Sequence, residues 1–192
     1  MITDTHWLPP LLWAALYISD YCFTITCARL YQAQTTLVFE GSYEITPIFQ
    51  RDVNALRRIS PRFVVILIAS TAYVWWLARL GASSEMHDVV ALAIGALVLI
   101  QLTVHLRHLR NWFMFRTLLR GGITGHIEYP RAVMLRSSAF ELLAFVGLYG
   151  CLFAVTRDVF VLGGAIACAV LAASHYRLAR QHESSTGLAT VA

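Results

Sequence analysis

Five separate stretches of this chain stay apolar for about twenty residues each, the length a helix needs to cross the hydrocarbon of a bilayer. They lie at 10–30, 63–80, 89–109, 138–156 and 159–178. Only 14% of the residues are charged, where a soluble domain carries about a quarter, and mean hydropathy is +0.62. The expected fold class is therefore all-α: one polytopic membrane helix bundle over 1–180 with five transmembrane helices. Start signals agree with this division. Pro9-Pro10, Ser60-Pro61, Asp88 and Asp158 each stand where an N-cap or a first-turn residue belongs. Tyr129-Pro130 puts the start of the fourth helix well before its entry into the membrane.

Charge placement orients the bundle. The net charge of +4 comes from arginine alone, because the fifteen basic residues include no lysine. Arg51, Arg57, Arg58 and Arg62 fall between spans one and two, and Arg110, Arg116, Arg120, Arg131 and Arg136 between spans three and four. Loops rich in arginine stay in the cytoplasm, so the N-terminus is expected outside and the C-terminus inside, in the cell (inner) membrane. Trp7, Trp13, Tyr73, Trp75 and Trp76 are then expected at the outer interface, and Arg107 and Arg110 at the level of the inner head groups. The N-terminus carries Asp4 and no arginine, unlike a secretory leader, so the first span reads as a retained anchor. Arginines flanking apolar spans set topology, and nothing here resembles a nucleic-acid patch.

The loops carry further expectations. Phe49, Val53 and Leu56 share one face of an amphipathic helix at about 47–59, suited to the interface plane. Span three continues past the membrane to Gly121-Gly122, and with the early start of span four it forms a cytoplasmic helical hairpin over about 110–137. Those glycines lack the Gly-Lys-Ser/Thr of a phosphate loop and read as turn residues. The tail 181–192 is small and polar and is expected to be disordered. Cys22, Cys27, Cys151 and Cys168 lie in apolar spans, which gives no disulfide framework.

Ionisable groups at membrane depth are costly, so each needs a reason. Helical spacing puts Trp13, Tyr17, Asp20, Thr24, Cys27 and Tyr31 on one face of span one. The same step gives Gln101, His105, His108 and Trp112 in span three, and Ser138, Glu141, Phe145 and Leu148 in span four. His175 of span five lies below the small-residue face of Gly164, Cys168 and Ala172, which suits close packing. His105, Glu141 and His175 share a depth near the inner boundary, Asp20 is near the midplane, and Glu40 and Glu44 lie overhead.

Three functions fit this convergence. In the first, a membrane-embedded enzyme acts on a lipid or small membrane-associated substrate, with Asp20, His105, Glu141 and Glu44 as the catalytic set. His105, His108 and Glu141 would then be the ligands if a divalent metal is the cofactor. In the second, Asp20 and the His105/Glu141 layer serve an ion, proton or small-solute path. In the third, the polar groups only hold the bundle together in a scaffold subunit. The expected partners are the bilayer and a lipid or small-molecule ligand, with a homo-oligomer or a larger membrane complex left open. The run from Trp7 to Tyr17 resembles the tryptophan-rich sensory (translocator) family, which binds porphyrins and sterols. That likeness covers barely a dozen residues, and neither its ligand nor its site residues carry over.

Overall fold

A computed structural model describes residues 6–83 and 85–186. Its elements in chain order are α1 (Leu8–Ala33), β1 (Leu37–Phe39), α2 (Pro47–Asn54), α3 (Pro61–Ser83), α4 (His87–Leu119), β2 (Ile127–Tyr129), α5 (Arg131–Thr156) and α6 (Val159–Thr186). Among the described residues, α1, α3, α4, α5 and α6 are long and apolar enough to cross a membrane.

Several helix starts follow the sequence signals. Pro9 and Pro10 occupy the first turn of α1 and Pro47 the first turn of α2, where a missing N–H costs nothing. Ser60 caps α3 by accepting from the Phe63 N–H at 3.4 Å, and Asp158 caps α6 by accepting from the Phe160 N–H at 2.9 Å.

Helix packing depends on small residues. α6 packs along both α4 and α5, while α1 packs against α3 and α4. At Gly95 an added Cβ would run into the Phe160 carbonyl, and at Gly163 into the Leu92 carbonyl. The α4 and α6 backbones therefore approach closer than any side chain permits, and dispersion contacts hold them there. Gly164, Cys168 and Ala172 continue that buried seam on α6, as their spacing predicts, with Ala165 beside them. The seam leaves α5 with Leu143, Leu148 and Val155 facing outward, which for Leu148 corrects the expected inward face.

Both long loops gather at one end of the bundle, the arginine-rich end. There β1 and β2 pair in parallel, Leu37 with Ile127 and Phe39 with Tyr129. The strand β2 lies within 121–129, the expected tip of the hairpin, and its pairing is an addition to that expectation. Tyr129 precedes Pro130, and a residue before proline is driven out of helical backbone, so α5 starts at Arg131, early as expected. The other arm is as expected: α4 runs unbroken to Leu119 and turns at Gly121, whose φ of +74° suits glycine.

Three further expectations are corrected. The helix expected over 47–59 ends at Asn54, because Leu56 takes a left-handed φ of 49° and the chain folds back. Its apolar face does not lie on lipid alone: Val53 is buried, and Phe49 and Leu56 pack on the cluster around Tyr21 and Phe63. Trp13 is not an interface residue but is buried, its indole N–H donating to Ser70 at 2.9 Å. Trp7, Tyr73, Trp75 and Trp76 are about half exposed, as interfacial rings are. Finally, α6 continues as helix through 181–186, where Glu183 pairs with Arg136 at 2.6 Å. Residues 187–192 and Asp4 lie outside the described residues.

Candidate functional site

A partly enclosed cavity of about 600 Å³ opens into the arginine-rich end, a size that suits a small ligand. Its walls come from α1, α4, α5 and α6, and the loop from Leu37 to Val53 covers it. Polar groups from every one of these elements face it.

Asp20 is the deepest carboxylate. Its Oδ1 stands 3.0 Å from His108 Nε2, and the Thr24 hydroxyl lies 3.2 Å from the same nitrogen. The two helices that carry this pair are clamped beside it, because the Cys27 thiol donates to the His108 carbonyl. The second nitrogen of His108, Nδ1, is buried with no hydrogen-bond partner among the described residues. One residue earlier on α4, Arg107 turns toward α5. There Glu141 stands 3.3 Å from Arg107 Nε without a hydrogen bond and pairs with the guanidinium of Arg110. Ser138 on α5 and His175 on α6 form a third pair, with Ser138 Oγ 2.8 Å from His175 Nδ1.

The loop supplies the cover. Glu44 lines the cavity, and its Oε1 accepts from the Thr46 N–H at 2.7 Å. Burial pushes the Glu44 carboxyl above its usual range, against the lowering effect of the Thr46 hydrogen bonds and of His108. Tyr43 is buried, which raises its phenol, and it accepts from Asn111 Nδ2 at 3.3 Å. Two contacts tie this cover to α5: Glu40 Oε2 accepts the Arg131 N–H at 2.9 Å, and the Arg131 side chain reaches the Ile45 carbonyl. A third fastens its far end. Buried Asp52 accepts from Ser60 Oγ at 2.5 Å and pairs with Arg57 at 3.3 Å.

The cavity is blind. On α1 its lining stops at Tyr17, which stacks between Trp13 and Phe63 with centroids 5.6 and 5.5 Å away. On α4 it stops at Val104, next to the buried Thr103, which lies within hydrogen-bond distance of Tyr149 and bonds the Leu99 carbonyl. Beyond this level neither helix contributes to the lining of this cavity.

Of the four residues expected to be catalytic, Asp20, Glu44 and Glu141 line this cavity and His105 does not. His105 bonds Ser19 Oγ and the Gln101 carbonyl, both at 2.6 Å, and its ring meets the edge of Phe23. The expected ligand set of His105, His108 and Glu141 is accordingly not assembled. His108 faces Asp20 and bonds Thr24, and Glu141 is paired with the two arginines. Among the described residues, no three His, Cys, Asp or Glu side chains converge closely enough to hold an ion.

Sequence spacing missed Arg107 as a cavity residue. Its side chain is 17% exposed and lines the cavity. The signal was available, since Arg107 sits three residues before Arg110 and faces the level of Glu141. Asn111 was also missed as a partner. Comparison with known protein families, with curated proteins and with solved structures finds no match, so what the site can do follows from its own residues.

Proposed function

We propose that this chain is a membrane-embedded enzyme acting on a lipid or other membrane-associated amphiphile, with Asp20 and His108 as its acid–base pair. The observation that carries this reading is the Asp20–His108 contact of 3.0 Å at the closed end of an otherwise open cavity. A carboxylate against one imidazole nitrogen orients the ring. The other nitrogen, Nδ1, is the group to which this reading gives the proton of a substrate hydroxyl or a bound water. Thr24 fixes the ring from the same side, and Glu141 serves as the counter-ion of Arg107 and Arg110 rather than as a proton carrier.

The arrangement favours an enzyme over a conduit. A transported ion would have to pass Tyr17 and the Trp13–Tyr17–Phe63 stack. A purely structural bundle, in turn, has no use for a cavity of this size beside a buried ion pair. The arginine-rich loops support a cavity at the cytoplasmic leaflet of the cell membrane, with the N-terminus outside and the C-terminus inside.

The test is turnover. Purified protein is reconstituted into vesicles of total bacterial lipid extract, and the lipids are profiled by mass spectrometry over time. One lipid class should be consumed by the wild type and spared by Asp20→Asn and His108→Gln. An unchanged lipid profile together with Asp20-dependent proton or solute flux across the vesicles would sink the enzyme reading and favour transport.

A further inference from the structure

The arginine pair on α4 points to the chemistry of the ligand's head group. This inference rests on the cavity being a ligand site, as proposed above, and adds what the ligand must carry.

Arg107 is an unusual residue to leave half-satisfied. Its guanidinium is mostly buried, and Glu141 is its only partner among the described residues, through Nε at 3.3 Å. Even that contact is badly aligned, because Arg107 Nε and Glu141 Oε2 are both buried without a hydrogen bond. The two terminal nitrogens, the fork that matches a planar or tetrahedral oxyanion, have no protein partner among the described residues. A cation withdrawn from water in this way costs several kcal/mol unless its donors are used. Arg110 is half exposed, reaches the same Glu141, and spends Nε and Nη2 on Asn111 Oδ1.

The local contacts agree. Two guanidiniums share one carboxylate, Glu141. Asp20 is turned toward His108, and burial favours the uncharged form of Glu44. Beside the arginines the lining turns apolar, through Met114, Leu118, Ile123, Ile127 and Met134.

We propose that Arg107 and Arg110 receive the oxyanion of an acidic amphiphile, a phosphate or a carboxylate, whose chain lies along this apolar lining. Arginine forks bind both groups through paired charge-assisted hydrogen bonds.

The test measures binding to the full-length protein in uncharged detergent, by thermal shift and by titration. The probes are dihexanoyl phosphatidic acid, octanoate, inorganic phosphate and uncharged dihexanoylglycerol. At least one of the two acidic amphiphiles should bind roughly tenfold or more tightly than dihexanoylglycerol, about 1.4 kcal/mol. Arg107→Gln and Arg110→Gln should each abolish that preference, while Arg157→Gln, an exposed position outside the cavity lining, keeps it. If Arg107→Gln does not fold, the half-exposed Arg110→Gln carries the comparison. Stabilisation by inorganic phosphate as strong as by phosphatidic acid keeps the oxyanion site but overturns the amphiphile. Equal binding of charged and uncharged probes overturns this inference and leaves the enzyme reading standing. Binding of none of them overturns both.

Discussion

Asp20 on α1 and His108 on α4 meet at 3.0 Å inside a five-span bundle, at the point where the cavity ends. Neither side chain is more than a quarter exposed. Removing one member strands the other, so Asp20→Ala or His108→Ala should destabilise the protein by ~3 kcal/mol, the lower end for breaking a buried pair. Asp20→Asn keeps a hydrogen-bonding group and should cost less. Reversible unfolding in mixed micelles measures the difference, and equal stability of wild type and Asp20→Ala would show that the pair holds nothing together.

The close approach of α4 and α6 makes a second expectation. Gly163→Leu or Gly95→Leu places a side chain where a backbone carbonyl stands, so the helices must separate. Overpacking of this kind costs ~1–3 kcal/mol or more. Gly147 on α5 has nothing within 4 Å of its Cβ position, so Gly147→Leu is the matched control and should leave the melting temperature near that of wild type. If all three variants melt alike, the seam is not where the bundle is held.

Glu44 gives the fold a pH dependence of known sign. Its carboxyl is raised above its ordinary 4.5, chiefly by burial, so the folded protein holds this proton more tightly than the unfolded chain does. The contribution is present in full below that value and is lost as pH rises through the higher folded-state value. Melting temperatures measured from pH 4 upward should therefore fall less steeply in Glu44→Gln than in wild type. Parallel curves would mean that Glu44 is solvated in both states.

Topology is open to chemical labelling. Ile123 lies in the exposed turn after α4, so Ile123→Cys reports on which side that end of the bundle faces. A membrane-impermeant maleimide should leave it unlabelled in intact cells and label it in inverted vesicles. Labelling from outside would invert the orientation assigned from the arginines.

The sequence carried the spans because their signal is large: an apolar run long enough to cross a bilayer has few competing explanations. The inward faces followed from helical spacing, and Trp13, Asp20, Thr24, Cys27 and Ser138 do face inward. What spacing alone cannot supply is which face meets which neighbour. His105 and His108 are three residues apart, yet one turns to Ser19 and the other to Asp20. Arg107 was assigned to the head groups because a bare arginine favours water, and the compensating Glu141 is thirty-four residues away in the chain. The β1–β2 pairing was invisible for a related reason. Three-residue strands carry almost no periodic signal, and their pairing joins segments ninety residues apart.

The most direct test is the turnover rate of Asp20→Asn and of His108→Gln against wild type in reconstituted vesicles, each shown by its melting curve to be folded. General acid–base catalysis contributes ~10²–10⁴-fold, so both variants should lose at least a hundredfold in rate while still binding the acidic amphiphile. Rates within a few-fold of wild type, in folded protein, would remove Asp20 and His108 from the chemistry and leave them as a structural clamp between α1 and α4.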